Sequence, residues 1–113
     1  MPLIQINMHK GKSSEEKKNI LLSIQAAIRE SYQIEHNKFH FRINEYDETN
    51  MFVSPAQSKN YVLIELDYLP NRSKAVKNEL YDTLKLNLAV YDIETDDILV
   101  IIRDNWSKPL MLV

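Results

Sequence analysis

A chain of 113 residues with a formal net charge of −2 suits one compact domain and leaves no electrostatic footprint for nucleic acid or an anionic membrane. Charged and hydrophobic residues, 27% and 44%, stand at ordinary globular levels; no apolar run approaches the roughly 20 residues of a membrane span and no secretory leader opens the chain, so a cytoplasmic protein is expected. Without cysteine there are no disulfides, thiolate nucleophiles or Cys-based zinc sites; the single glycine, Gly11, excludes glycine-rich phosphate loops, and His9, His36 and His40 fall in no metal-binding spacing, so neither metal nor other cofactor is expected.

"MPLIQIN" opens the chain. Proline is tolerated in a strand at its first residue. Once Met1 is removed, however, Pro2 carries a secondary amine, a group no other standard residue can place at a chain start. Ile4, Ile6 and Met8 then alternate with Leu3, Gln5 and Asn7, the period of a strand. "SSEE" at 13–16 predicts a helix start, with Ser13 as N-cap, Glu16 completing a capping box and both acids favouring the positive helix end. Ile20, Ile24, Ala27 and Ile28 continue at helical spacing to about Ser31, and Phe39, Phe41 and Ile43 alternate with His40, Arg42 and Asn44 as a second strand. After a joining segment around 46–60 the pattern returns. Val62, Ile64, Leu66 and Tyr68 read as a strand, Val76, Leu80, Leu84, Leu88 and Tyr91 as a helix stripe, and Ile98, Val100 and Ile102 as the last strand. Asp96 and Asp97, just before it, read as a solvated turn.

The two runs are copies. "LIQIN" at 3–7 matches "LIELD" at 63–67, "GKS" at 11–13 matches "NRS" at 71–73, and "IEHNKFHFRI" at 34–43 matches "IETDDILVII" at 93–102. The chain therefore reads as one α+β domain over 1–113, with internal repeats at about 2–45 and 62–106. Each β-α-β copy pairs its strands in parallel with a right-handed crossover. The result is a two-layer fold, a four-stranded mixed sheet with two helices on one face. The other face carries Leu3, Gln5, Asn7, Leu63, Glu65, Leu99 and Ile101, too apolar to stand in water, which predicts a homo-oligomer. The apolar tail "PLMLV" at 109–113 reads as an intersubunit strand.

Pro2 at a strand head, G-[KR]-S after the strand, an E-E-K-K helix and the duplication together resemble the tautomerase superfamily, closest to its malonate semialdehyde decarboxylase-like branch through "RSKAVK" at 72–77 and "NW" at 105–106. The resemblance implies a trimer without cofactor in which the amine of Pro2 carries protons. An α-amino group titrates near about 7.7–8.0, and burial beside cations disfavours its charged form, which suits general acid–base work. Keto–enol proton transfer in a small 2-oxo acid is the activity it implies, with decarboxylation of a 3-oxo acid and non-catalytic carboxylate binding as alternatives.

If the copies pair about a twofold axis, their first strands run antiparallel and Pro2 lies near "YLPNRS" at 68–73. Arg72 is then the candidate carboxylate anchor by its fork geometry, and the resemblance points to the same residue. The mirrored site pairs Lys12, a solvated residue, with Val62, which has no amine. Three further positions enter the candidate substrate pocket through the resemblance. Lys38 stands where the decarboxylase has an aspartate, Leu69 where it has a second arginine, and Trp106 matches a tryptophan of its hydrophobic wall. His40 stands where short tautomerases carry an arginine and reads as an interface residue.

Overall fold

The computed structural model describes residues 2–34 and 39–104. Met1, Lys38, Trp106 and the tail at 109–113 lie outside the described residues. Over the described residues the chain runs β1 (Leu3–His9), α1 (Ser14–Tyr32), β2 (His40–Tyr46), β3 (Val62–Asp67), α2 (Lys74–Ala89), a 3-10 turn (Thr95–Asp97) and β4 (Ile98–Arg103). The sheet order is β2-β1-β3-β4. β1 pairs β2 in parallel and β3 pairs β4 in parallel, while β1 and β3 meet antiparallel at the centre, with Ile6 opposite Ile64. This is the four-stranded mixed sheet with two helices that the strand and helix periods predict.

Period and burial agree closely. Ile4, Ile6 and Met8 of β1 and Val62, Ile64 and Leu66 of β3 are buried against Ile20, Ile24, Ala27 and Ile28 of α1 and Leu80, Leu84 and Leu88 of α2. Both helices start as their serines dictate. Ser13 Oγ accepts from the Glu16 amide at 3.1 Å, and Ser73 Oγ accepts from the Val76 amide at 3.3 Å. Among the described residues no helix is long and apolar enough to cross a membrane.

Two local readings change. α2 stops at Ala89, so Tyr91 follows the helix instead of continuing its stripe; its amide bonds Leu88 O, Asp92 takes a left-handed φ of 61°, and the chain turns back to bury Ile93. Asp97 is no solvated turn residue. It is 4% exposed, and its two carboxylate oxygens accept from the Ser58 amide at 2.7 Å and the Ser58 hydroxyl. That carboxylate ties the joining segment to the foot of β4. Charge-assisted bonds of this kind are among the stronger hydrogen bonds.

The sheet face turned from the helices carries a connected polar network. Asn44 donates to Gln5 and Asn7, Asn7 donates to Glu65, and Arg103 bridges Glu65 at 3.0 Å and Asp67 at 3.2 Å. Leu3, Leu63 and Ile101 flank it half-buried, and Leu99 is 46% exposed.

Candidate active site

Pro2 is buried at the head of β1, and its carbonyl accepts from the His40 amide at 2.9 Å, which ties it to β2. On the other side Leu3 pairs with Asp67, so the next step of the ladder brings Pro2 opposite Tyr68. Side chains alternate along a strand, which puts Pro2 on the face of Ile4, toward the helices. Tyr68 has a left-handed φ of 60°. For a residue with a Cβ this conformation carries strain. The bend ends β3 and sends the chain toward α2, with Leu69 fully buried in the core and Arg72 placed just before the N-cap Ser73.

Arg72 is held from two sides. One Nη2 hydrogen reaches the carbonyl of Tyr32, the last residue of α1, at 3.3 Å, and Nη1 bonds the Asn71 carbonyl at 3.2 Å. The guanidinium also lies over the Tyr32 ring, 5.8 Å from its centroid, a cation–π contact. Two of the five guanidinium donors are thus given to main-chain oxygens. α2 has no acidic residue in its first turn, so the positive end of the helix adds to Arg72 without internal compensation.

Behind Arg72, Lys77 of α2 bonds Asp104 at 2.7 Å. That bond holds the Lys77 ammonium above its ordinary value and the Asp104 carboxyl below its own. Tyr32 is 1% exposed, and burial raises its phenol, opposed by Lys77 and Arg72. Sequence reading passes over Tyr32, Lys77 and Asp104. Their only signal was the aromatic residue closing the first helix and the lysine inside "RSKAVK".

The structure thus brings Pro2 and Arg72 to one end of the sheet, while Leu69 is fully buried in the core. Lys38 and Trp106 lie outside the described residues. His40 is exposed and pairs with Leu3, on the face away from the helices. At the far end of the sheet Val62 is buried, and Lys12 Nζ bonds Asn60 Oδ1 at 3.4 Å.

A β-α-β pair of this topology with a proline heading an inner strand defines a class, and comparison with known proteins names it. Two family models, both described as tautomerase enzyme, match residues 37–108 and residues 2–61, and the chain belongs to that family. Among solved structures it is similar to malonate semialdehyde decarboxylase, at 19% identity and a TM-score of 0.82, with 96% of this chain and 91% of that chain covered. An FG41 malonate semialdehyde decarboxylase inhibited by 3-bromopropiolate matches at 20% identity and a TM-score of 0.83, covering 96% and 89%. A fused 4-OT solved as a symmetric trimer matches at 19% identity and a TM-score of 0.77, covering 90% and 84%. No curated protein matches the chain in sequence.

Proposed function

We propose that this chain is a tautomerase-type enzyme acting on a small 2-oxo acid. The Pro2 amine, freed by removal of Met1, takes a proton from the carbon next to the carbonyl. The C–H electron pair becomes the C=C bond, the carbonyl pair moves onto oxygen, and that oxygen takes a proton from water to give the enol. In ketonisation the enol O–H gives its proton to water, its electron pair re-forms the C=O bond, and the C=C pair takes the proton from the Pro2 ammonium. Arg72 holds the substrate carboxylate. The observation that supports the reading is a buried proline at the head of β1 and, at the same end of the sheet, a guanidinium fixed before a helix start with no acid in its first turn. A neutral amine away from water is a competent base near neutral pH, and a cation beside it favours the enolate that forms.

Decarboxylation of a 3-oxo acid is the second reading, favoured by the likeness in fold to the two decarboxylases. The same resemblance puts their second arginine at Leu69, which here is fully buried among apolar side chains. That favours proton transfer over decarboxylation. The half-apolar open face and the trimeric 4-OT relatives support a homo-oligomer, a trimer, formed through that face.

The test is ketonisation of the phenylpyruvate enol by protein whose intact mass shows that Met1 has been lost. Turnover that depends on Pro2 and Arg72 supports the reading; turnover indifferent to both sinks it. Light scattering that returned a monomer would remove the trimer.

A further inference from the structure

Tyr32 closes α1 with its side chain almost wholly buried, yet its hydroxyl has no hydrogen-bond partner among the described residues. An unpaired buried hydroxyl costs free energy that a phenylalanine of the same shape would not. The charged groups nearest it do not relieve it. Lys77 and Asp104 act on the phenol electrostatically but are joined to each other at 2.7 Å. Arg72, above the ring, gives its bond to the Tyr32 carbonyl and not to the hydroxyl.

A second buried group without partners among the described residues, the imidazole of His9, shows what is particular to Tyr32. His9 lines a cavity of about 360 Å³ with Lys10, Asp47, Glu48 and Lys59. Both lysines there are already paired, Lys10 with Asp47 and Lys59 with Glu48, each at 3.0 Å. Among the described residues lining that cavity no lysine or arginine is left unpaired to draw a charged ligand. Beside Tyr32 stands a guanidinium with donors to spare.

We propose that the Tyr32 hydroxyl is a substrate-binding donor, hydrogen-bonding the 2-oxo or enol oxygen of a small acid whose carboxylate sits on Arg72. This rests on the reading of Pro2 and Arg72 given above and assigns the other oxygen of the same substrate. The chemistry fits. A phenol O–H donates to a carbonyl oxygen and more strongly to the enolate oxygen it becomes, and a donor held in place before reaction acts most where charge develops. Burial raises the phenol, so it keeps its proton at neutral pH. The pairing also gives the site a criterion for ligands: an acid with an oxygen on the adjacent carbon engages both groups, and a plain carboxylate engages only Arg72.

The experiment compares phenylpyruvate with 3-phenylpropionate, which lacks the oxo group, on wild type, Tyr32→Phe and Arg72→Ala. Calorimetry gives binding, and ketonisation of the phenylpyruvate enol gives turnover. Tyr32→Phe keeps the ring beneath Arg72, so its melting temperature stays level or rises. We expect kcat for ketonisation to fall by about 100-fold, as on loss of one oxyanion donor. Binding of phenylpyruvate weakens in this variant while binding of 3-phenylpropionate does not change. In the wild-type chain labelled at tyrosine Cζ, phenylpyruvate shifts the Tyr32 resonance and 3-phenylpropionate leaves it in place. Unchanged kcat and unchanged ligand preference in Tyr32→Phe, with Arg72→Ala still abolishing binding of both acids, overturns the role of Tyr32 alone. Binding and turnover indifferent to Arg72 overturn the parent reading and this one together.

Discussion

At one end of the sheet Lys12 precedes the serine-capped start of α1, and at the other Arg72 precedes the serine-capped start of α2. The parallel runs deep. Lys17 pairs with Glu45 at 2.9 Å on the first side, as Lys77 pairs with Asp104 at 2.7 Å on the second. The charges around the two helix starts differ. α1 carries Glu15 and Glu16 in its first turn, so its positive end is met by its own carboxylates, and Lys12 is spent on Asn60. α2 has no such acids, and Arg72 stands at the end of the sheet where Pro2, in place of the buried Val62, heads β1. One scaffold therefore offers two matching helix starts, and on the proposed reading a few side chains decide which of them receives a carboxylate and moves a proton.

The largest test of that contrast is catalytic. Pro2→Ala and Arg72→Ala should each lower kcat/KM for enol ketonisation by about 100-fold or more, while Lys12→Ala leaves it unchanged. A loss with Lys12→Ala equal to that with Arg72→Ala would erase the distinction between the ends. Next comes stability, where the ends should behave alike. Ser13→Ala and Ser73→Ala are each expected to cost about 1 kcal/mol in urea denaturation, since both serines cap a helix through one amide.

Smaller again is the effect of giving α2 the acid that α1 has. Ala75→Glu should raise KM by roughly 2- to 5-fold through competition with the substrate carboxylate. The new carboxylate at the helix start should meanwhile hold or raise the melting temperature. A lower KM in this variant would show that the helix end does not take part in binding.

The smallest expected effects lie in the pH dependence. The Tyr32 phenol is raised above its ordinary value of 10.0 by burial, so the folded state holds its proton longer than the unfolded chain. Stability is therefore intact below that ordinary value and is lost as pH rises through the folded one; Tyr32→Phe should flatten this alkaline limb of a melting series. Asp104 is lowered by Lys77, so its contribution is present above the ordinary carboxylate value and is lost as pH falls through the folded one. Asp104→Asn should flatten the acid limb and, by removing a carboxylate that helps to raise the Tyr32 phenol, lessen the alkaline loss as well.

Much of the fold was legible because its determinants are local. Ile4, Ile6 and Met8 declare a strand by period, Ser13 declares a helix start by the amide it caps, the match of "GKS" to "NRS" sets Ser73 in the corresponding place, and the match of "LIQIN" to "LIELD" implies the antiparallel centre that pairs Ile6 with Ile64. Pro2 and Arg72 were legible as candidates because an N-terminal proline and a guanidinium before a helix are recognisable chemical groups wherever they stand. The turn at Asp92 was not, since the apolar stripe of α2 continues in sequence to Tyr91 after the helix has ended. Nor was the role of Asp97, whose partner Ser58 is 39 residues away.

The sequence by itself determined the two β-α-β units, the capped starts of their helices and the chemical types available at the head of the first strand. Hydrophobic period and side-chain-to-amide capping act over a few residues and need no knowledge of the rest of the chain. Only the tertiary structure decided that the Arg72 guanidinium rests on Tyr32, 40 residues before it, and that the buried Tyr32 hydroxyl has no partner among the described residues. Those facts depend on how the end of α1 meets the start of α2 across the sheet. Packing of distant elements, and not local pattern, sets which donors are already engaged when a substrate arrives.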